Sequence, residues 1–281
     1  MAAPFLLHAA VALSPPMKIL GILNITSDSF SDGGRYLEPG AAIFHARALA
    51  QSGADIIDIG AASSHPDAQA VAPEVEIARL AAVVPELKAK GLSLSIDSFA
   101  PQVQRWALEQ DVDYLNDIHG FPDVSLYAAL ARSRAKLIVM HMVQAQGVAV
   151  RTQVPSGEIF DRVTTFFDGR IDALTKAGIA RERLILDPGM GQFLGTDPES
   201  SWIILRRLPE LKARYGLPLL LSLSRKGFVR KLVNRPPLES GAASLAAELF
   251  AGAQGADMIR THAPGPLRDG LKVLKNIGKP Y

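Results

Sequence analysis

KILGILNITSDSFSDGG, residues 18 to 34, is the stretch whose reading decides the fold. Its first half carries Ile19, Leu20, Ile22 and Leu23, a short apolar run of the kind that makes a buried strand, and it stops at Asn24, where turn-forming residues begin. An Asn there offers a neutral amide oxygen to a hard cation or an NH2 group to an anion; taken alone it is also an ordinary turn starter. The same figure recurs down the chain. Candidate strands lie at 18–23, 55–59, 92–96, 113–116, 136–140, 183–186, 218–223 and 257–260, eight in all. Helical patterns fall between and after them, at 41–51, 74–90, 101–109, 126–132, 159–177, 200–215, 242–252 and 266–276. Strand and helix alternating eight times predicts an α/β chain folded as a (β/α)8 TIM barrel, with an open doubly wound sheet as the alternative.

No linker rich in Gly, Ser or Pro divides the 281 residues, so one domain over 17–281 accounts for them. Residues 1–16 are small and apolar without a basic leading segment; they read as a loose extension, with Met17 a conceivable start and a signal peptide the minor alternative. The 48% apolar share supplies a large core, and no run is long enough to cross a bilayer. A net charge of +2 without a Lys/Arg block speaks against nucleic acid or a membrane surface as partner. The absence of Cys excludes disulfides, thiolate metal sites and a Cys nucleophile, and it suits a reducing, cytoplasmic setting.

In such a barrel the chemistry gathers at the C-terminal ends of the strands. The residues just past the apolar runs are Asn24, Gly60, Asp97, Asn116 with Asp117, His141, Asp187, Ser224 with Arg225 and Lys226, and Arg260 with His262. Asp97 and Asp187 there can each accept paired N–H donors from an aminopyrimidine-like edge, while Asn116 supplies both a donor and an acceptor, a set suited to a planar heterocycle. Asp97 also stands where it would cap a helix starting at Pro101. The cationic group after the last two strands, with Asn24 next around the ring, suits a diphosphate bridged by a divalent cation; for Arg260 a plain surface ion pair is the competing reading. His141 and His262 are conceivable metal ligands, but no accompanying ligand cluster supports them.

The segments GILNITSDSFSDGG, GADIIDIG, SIDS, NDI, VMH, LDPGMG, SRK and IRTH, in this order and in register, closely resemble the dihydropteroate synthase family over nearly the whole chain. That family joins 6-hydroxymethyl-7,8-dihydropterin diphosphate to p-aminobenzoate with release of pyrophosphate. The resemblance implies that Asp97, Asn116, Asp187 and Lys226 bind the pterin with Met140 on its face, and that Asn24, Arg260 and His262 hold the diphosphate with Mg2+, which Asn24 ligates. Lys226, Asp97 and Arg260 are the residues expected to carry catalysis. Phe30, Ser64, Pro66, Ser224, Arg225 and Phe228 are expected around p-aminobenzoate. A homodimer through late helices, including 241–252, is also implied.

The chain departs from the usual family pattern in three places. Gly60-Ala61-Ala62-Ser63-Ser64-His65-Pro66-Asp67 replaces the usual Gly-Gly-Glu-Ser-Thr-Arg-Pro-Gly; with Gly120-Phe121-Pro122 and Arg260-Thr261-His262 it resembles the sulfonamide-resistant branch. A sulfonamide-insensitive synthase is therefore expected, with Phe30, Ser64, Pro66, Phe121 and Phe228 as candidates for steric discrimination. Gln192 stands where the family has Phe, followed by Phe193, and Gly227 stands where it has Ser. Loss of the ring at 192 removes apolar packing from the pterin unless Phe193 compensates. Two rival readings are a methyltetrahydrofolate-dependent methyltransferase domain, which lacks need of the cationic groups, and a pterin-binding module without turnover.

Overall fold

Eight parallel strands carry the expected alternation in the computed structural model, which describes residues 17–26, 38–63, 69–144, 147 and 151–278. They are β1 (Lys18–Asn24), β2 (Ile56–Gly60), β3 (Leu94–Asp97), β4 (Tyr114–Asp117), β5 (Lys136–Met140), β6 (Leu184–Asp187), β7 (Leu220–Ser222) and β8 (Met258–Thr261). The sheet runs in the order β6-β5-β4-β3-β2-β1-β8-β7, and a parallel bridge from Leu186 to Leu219 joins its two ends. The molecule is thus a nearly closed (β/α)8 barrel in one domain, as the alternation predicts, and the open-sheet alternative fails on that closing bridge.

Helices α1 (Pro39–Gln51), α2 (Pro73–Ala81), α3 (Val84–Ala89), α4 (Pro101–Glu109), α5 (Tyr127–Arg132), α6 (Ile159–Lys176), α7 (Pro198–Arg206), α8 (Leu208–Tyr215), α9 (Gly227–Val233), α10 (Gly241–Ala253) and α11 (Pro264–Ile277) cover the outside. Two predicted helices are each broken in two. The 74–90 pattern divides into α2 and α3 at Val83, and the 200–215 pattern into α7 and α8 at Arg207. Pro85 and Pro209 sit in the first turn of the second piece each time, where a missing N–H is harmless at a helix start and disruptive in mid-helix. The short α9, directly after Lys226, is absent from the sequence reading.

Strand periodicity sorts the interior. Leu20, Ile56, Tyr114, Ile138, Ile185, Leu220 and Met258 form one cluster along the barrel axis, while their sequence neighbours, such as Ile19, Ile57, Leu115, Leu137 and Ile259, join the larger core between sheet and helices. A third, smaller cluster of Ile118, Met140, Met142 and Phe193, with Phe99 packed against it, lies beyond the strand ends. The polar strand-end residues therefore stand between an apolar plug below and an apolar wall at the mouth. Residues 1–16, with the loose extension expected there, lie outside the described residues. Among the described residues no helix is long and apolar enough to cross a membrane.

Candidate active site

The register places the predicted rim residues side by side. Asn24 pairs with Gly60, Gly60 with Asp97, and Asp97 with Asn116 across β1 to β4; Met140 pairs with Asp187 across β5 and β6. Two residues inward from Gly60 on β2, the same face carries Asp58, which is fully buried. Its carboxylate takes Arg260 Nε, while Arg260 Nη2 donates to Asp97 Oδ2 at 2.7 Å. Arg260 is thus no surface pair: its side chain is 16% exposed and reaches from β8 across to β2 and β3. Burial opposes its charge, but Asp58 and Asp97 more than offset this and hold it protonated.

The acids respond to the same enclosure. Burial pushes the Asp97 carboxyl up to about 7, against the pull of Arg260 and with added repulsion from Asp58, Asp117 and Glu76. Burial likewise pushes Asp187 up to about 6, although the Gly189 N–H donates to its Oδ1 at 2.8 Å and Lys226 and Arg260 lower it. Lys226 is depressed to about 8 by burial and Arg260, with Asp187 and Asp97 resisting. Its ammonium lies 4.6 Å from the centroid of Phe193. Asn116 is buried, and its Oδ1 has no hydrogen-bond partner among the described residues, an uncommon state for a buried amide unless a ligand supplies the donor. The turn after Asp187 requires glycine: at Gly189, φ is +72° and a Cβ would fall 2.3 Å from the His141 carbonyl oxygen.

Several sequence expectations are corrected here. Asp97 caps nothing, since Ala100 occupies the N-cap of α4 without a side-chain bond. Asp117 belongs to a different environment from Asn116, because strand alternation turns it outward; it accepts bonds from the backbone N–H groups of His119 (2.8 Å) and Phe121 (3.1 Å) and from Gln104 Nε2 (2.8 Å). His141 faces α6, its Nδ1 near the Pro188 carbonyl (3.1 Å) and its ring edge against Phe166, and burial lowers it to about 4. Among the described residues no group of three or more His, Asp or Glu is placed to hold a metal. His262 is no cation: burial, then Arg225, Arg260 and Lys226, depress it well below the ordinary value, and its Nδ1 lies 3.0 Å from Ser224 Oγ. Phe121 is fully buried at φ +61°, its carbonyl held by Arg170, so it does not line an aryl-amine pocket.

Phe193 answers the question raised by Gln192. It is 5% exposed, packs with Met140 and Met142, and so restores an aromatic wall one residue later than the family pattern. Gln192 instead lines a cavity of about 320 Å3 shared with Gly191, Arg225, Lys226, Gly227 and Phe228. Phe30, Ser64 and Pro66, like His65 and Asp67, lie outside the described residues. Asp58 was missed by sequence reasoning, although an acid on the inward-facing alternation of an otherwise apolar run was a usable signal.

Asn24 Oδ1 lies 3.5 Å from where a Cβ on Gly60 would stand, so the glycine keeps side-chain bulk away from this amide oxygen at the strand end. One hard oxygen donor fits Mg2+ held chiefly by substrate phosphates and water, as that ion commonly is, rather than by a protein cage.

The chain matches the family model described as "Pterin binding enzyme" over residues 20–262. It is 60% identical over 256 residues to dihydropteroate synthase type-2 of Escherichia coli, covering 91% of this chain and 94% of that protein. It is 48% identical to dihydropteroate synthase type-3 of the same organism, covering 93% and 99%. Among solved structures, the Yersinia pestis dihydropteroate synthase in complex with a sulfonamide drug superposes with a TM-score of 0.85 at 31% identity, covering 93% of each chain. The Xanthomonas albilineans enzyme in complex with 7,8-dihydropteroate gives 0.78 at 30% identity, covering 96% and 95%.

Proposed function

From the premise that this chain belongs to the pterin-binding enzymes and, within them, to the dihydropteroate synthases, we propose that the rim residues divide the reaction between a pterin grip and a diphosphate clamp. Asp97, Asn116 and Asp187 receive the N–H edge of the pterin, and Lys226 donates to its ring acceptors. Met140 and Phe193 bound its face. Asn24, Arg260 and His262 hold the diphosphate, His262 as a neutral hydrogen-bond donor until the anion arrives and raises its proton affinity. Mg2+ at Asn24 would supply charge neutralisation on the diphosphate oxygens.

The observation that carries this reading is Asn116 Oδ1, without a partner among the described residues, beside two carboxylates whose ionisation burial opposes. A neutral heterocycle that donates N–H groups satisfies all three at once. The C–O bond to the diphosphate then breaks with its electron pair leaving on pyrophosphate, where Arg260 stabilises the developing charge. The cationic methylene left on the pterin is attacked by the aryl amine nitrogen, a C–N bond forms, and the amine proton passes to solvent. Lys226, Asp97 and Arg260 are the catalytic residues in this account. Ser224, Arg225 and Phe228 border the aryl amine, together with Phe30, Ser64 and Pro66.

Pyrophosphate release on mixing 6-hydroxymethyl-7,8-dihydropterin diphosphate, p-aminobenzoate and Mg2+ tests the reading; pterin binding without release would leave a module without turnover. Insensitivity to sulfonamides is part of the proposal, supported by the sequence Ser63-Ser64-His65-Pro66-Asp67. A sulfonamide carries a substituent beyond the group that replaces the carboxylate, so a narrowed pocket rejects it on shape. The expected ratio of sulfonamide Ki to p-aminobenzoate KM far exceeds that of a sensitive synthase, and equal ratios would refute it. A cytoplasmic homodimer completes the proposal. Leu232 on α9 and Val273 and Ile277 on α11 are 72%, 58% and 72% exposed, flanking the Ala-rich α10, which supports a partner over these late helices.

A further inference from the structure

Arg260 holds two carboxylates of different standing. Asp58 is fully buried beneath the rim; one of its oxygens takes Arg260 Nε and the other has no partner among the described residues. Nothing arriving from the mouth can replace Arg260 there, and parting them would strand a buried charge. Asp97 stands one strand further on with its side chain 23% exposed, and it gives Oδ2 to Arg260 Nη2. Two N–H donors of a heterocycle edge take both Asp97 oxygens, so the ligand shares Oδ2 with Nη2 and weakens the hold of Asp97 on Arg260.

We propose that Asp58 is a positioning residue that fixes Arg260 at Nε, so that a pterin binding to Asp97 displaces Nη2 and turns it toward the diphosphate. The free protein keeps the guanidinium neutralised between two acids, and the pterin releases one end of it. Pterin and diphosphate then bind with positive cooperativity, each strengthening the other by the same factor. The inference rests on the pterin grip proposed above and adds to it the role of Asp58, which makes no contact with either substrate group.

The test uses the full chain and two separate probes: 6-methyl-7,8-dihydropterin, which carries no leaving group, and inorganic diphosphate with Mg2+. Each is titrated calorimetrically in the absence and in the presence of saturating amounts of the other. About tenfold mutual tightening, within the usual range for coupled sites, is expected in the wild type. In Asp58→Asn the tightening should vanish, because a neutral amide no longer holds the charged guanidinium at Nε against its other partners. Adding Asp58→Asn to Arg260→Gln should weaken neither affinity further, since Asp58 then has no guanidinium left to position. If Asp58→Asn does not fold, the wild-type titrations and the double variant, which removes both buried charges together, still decide the matter. Two probes that bind with unaltered affinities in each other's presence would overturn the handover while leaving the pterin grip intact. Further loss from Asp58→Asn in the Arg260→Gln background would overturn the positioning role. No binding of the pterin at all would overturn the site reading itself, and this inference with it.

Discussion

Asp187→Asn separates binding chemistry from folding. Asp187 is 2% exposed, and its Oδ1 is committed to the Gly189 N–H, which leaves Oδ2 for the ligand. A carboxyl titrating at about 6 instead of 3.8 costs on the order of 3 kcal/mol to hold ionised above pH 6. The sign follows from the raised value: the folded state binds the proton more tightly than the unfolded chain, so this group's contribution to stability falls as pH rises from about 4 to about 6 and stays low above. Asparagine keeps an oxygen for Gly189, avoids that ionisation and preserves volume. Toward the ligand it turns an acceptor into an NH2 group, so that donor faces donor. Losing one charge-assisted bond, roughly 1.5–3 kcal/mol, and leaving a buried donor unpaired, roughly 1–3 kcal/mol, together lower kcat/KM for the pterin substrate by about 100-fold or more. Pyrophosphate release measures the first effect, and urea unfolding at pH 8 measures the second, where the midpoint should match or exceed wild type. Activity within tenfold of wild type, or an unfolding free energy lowered by several kcal/mol, would refute the reasoning.

The pH profile of kcat/KM for the pterin substrate should rise through about 7 as Asp97 ionises and fall above about 8 as Lys226 loses its proton; a profile flat from pH 6 to 9 would dissociate these groups from binding. Gly189→Ala must place a Cβ against the His141 carbonyl at a positive φ, and it should destabilise by roughly 3 kcal/mol in urea titration. Arg170→Ala removes the donors to the Gly120 carbonyl (2.8 Å), the Phe121 carbonyl and the Tyr127 hydroxyl (2.7 Å), which anchor the turn following Asn116. It should cost roughly 2–3 kcal/mol in stability and also raise the pterin KM, read in the same two assays.

The barrel was legible because buried strands announce themselves twice, by apolar runs and by the polar residue that stops each one. Asn24, Asp97, Asn116, Asp187 and Arg260 were found that way, and all lie on inward-facing positions of the strand ends. Adjacent positions point to opposite faces, so the stop residue and its neighbour play different parts: Asn116 turns in, Asp117 turns out to staple a turn. Asp58 escaped notice because its partner is 202 residues away and its run otherwise reads as core. The depressed proton affinity of His262 was equally hidden, since it depends on burial and on three cations that only the fold assembles. The breaks at Pro85 and Pro209 have a signal in the prolines themselves, but an apolar stripe continuing past a proline imitates one long helix.

The most direct measurement is a crystal structure of the protein with 6-hydroxymethyl-7,8-dihydropterin diphosphate, or a non-hydrolysable analogue, and Mg2+. The pterin edge is expected on Asp97, Asn116 and Asp187, its face on Met140 and Phe193, and its phosphates against Arg260, His262 and Asn24. A pterin seated elsewhere, or one whose N–H edge points away from those three side chains, would contradict it.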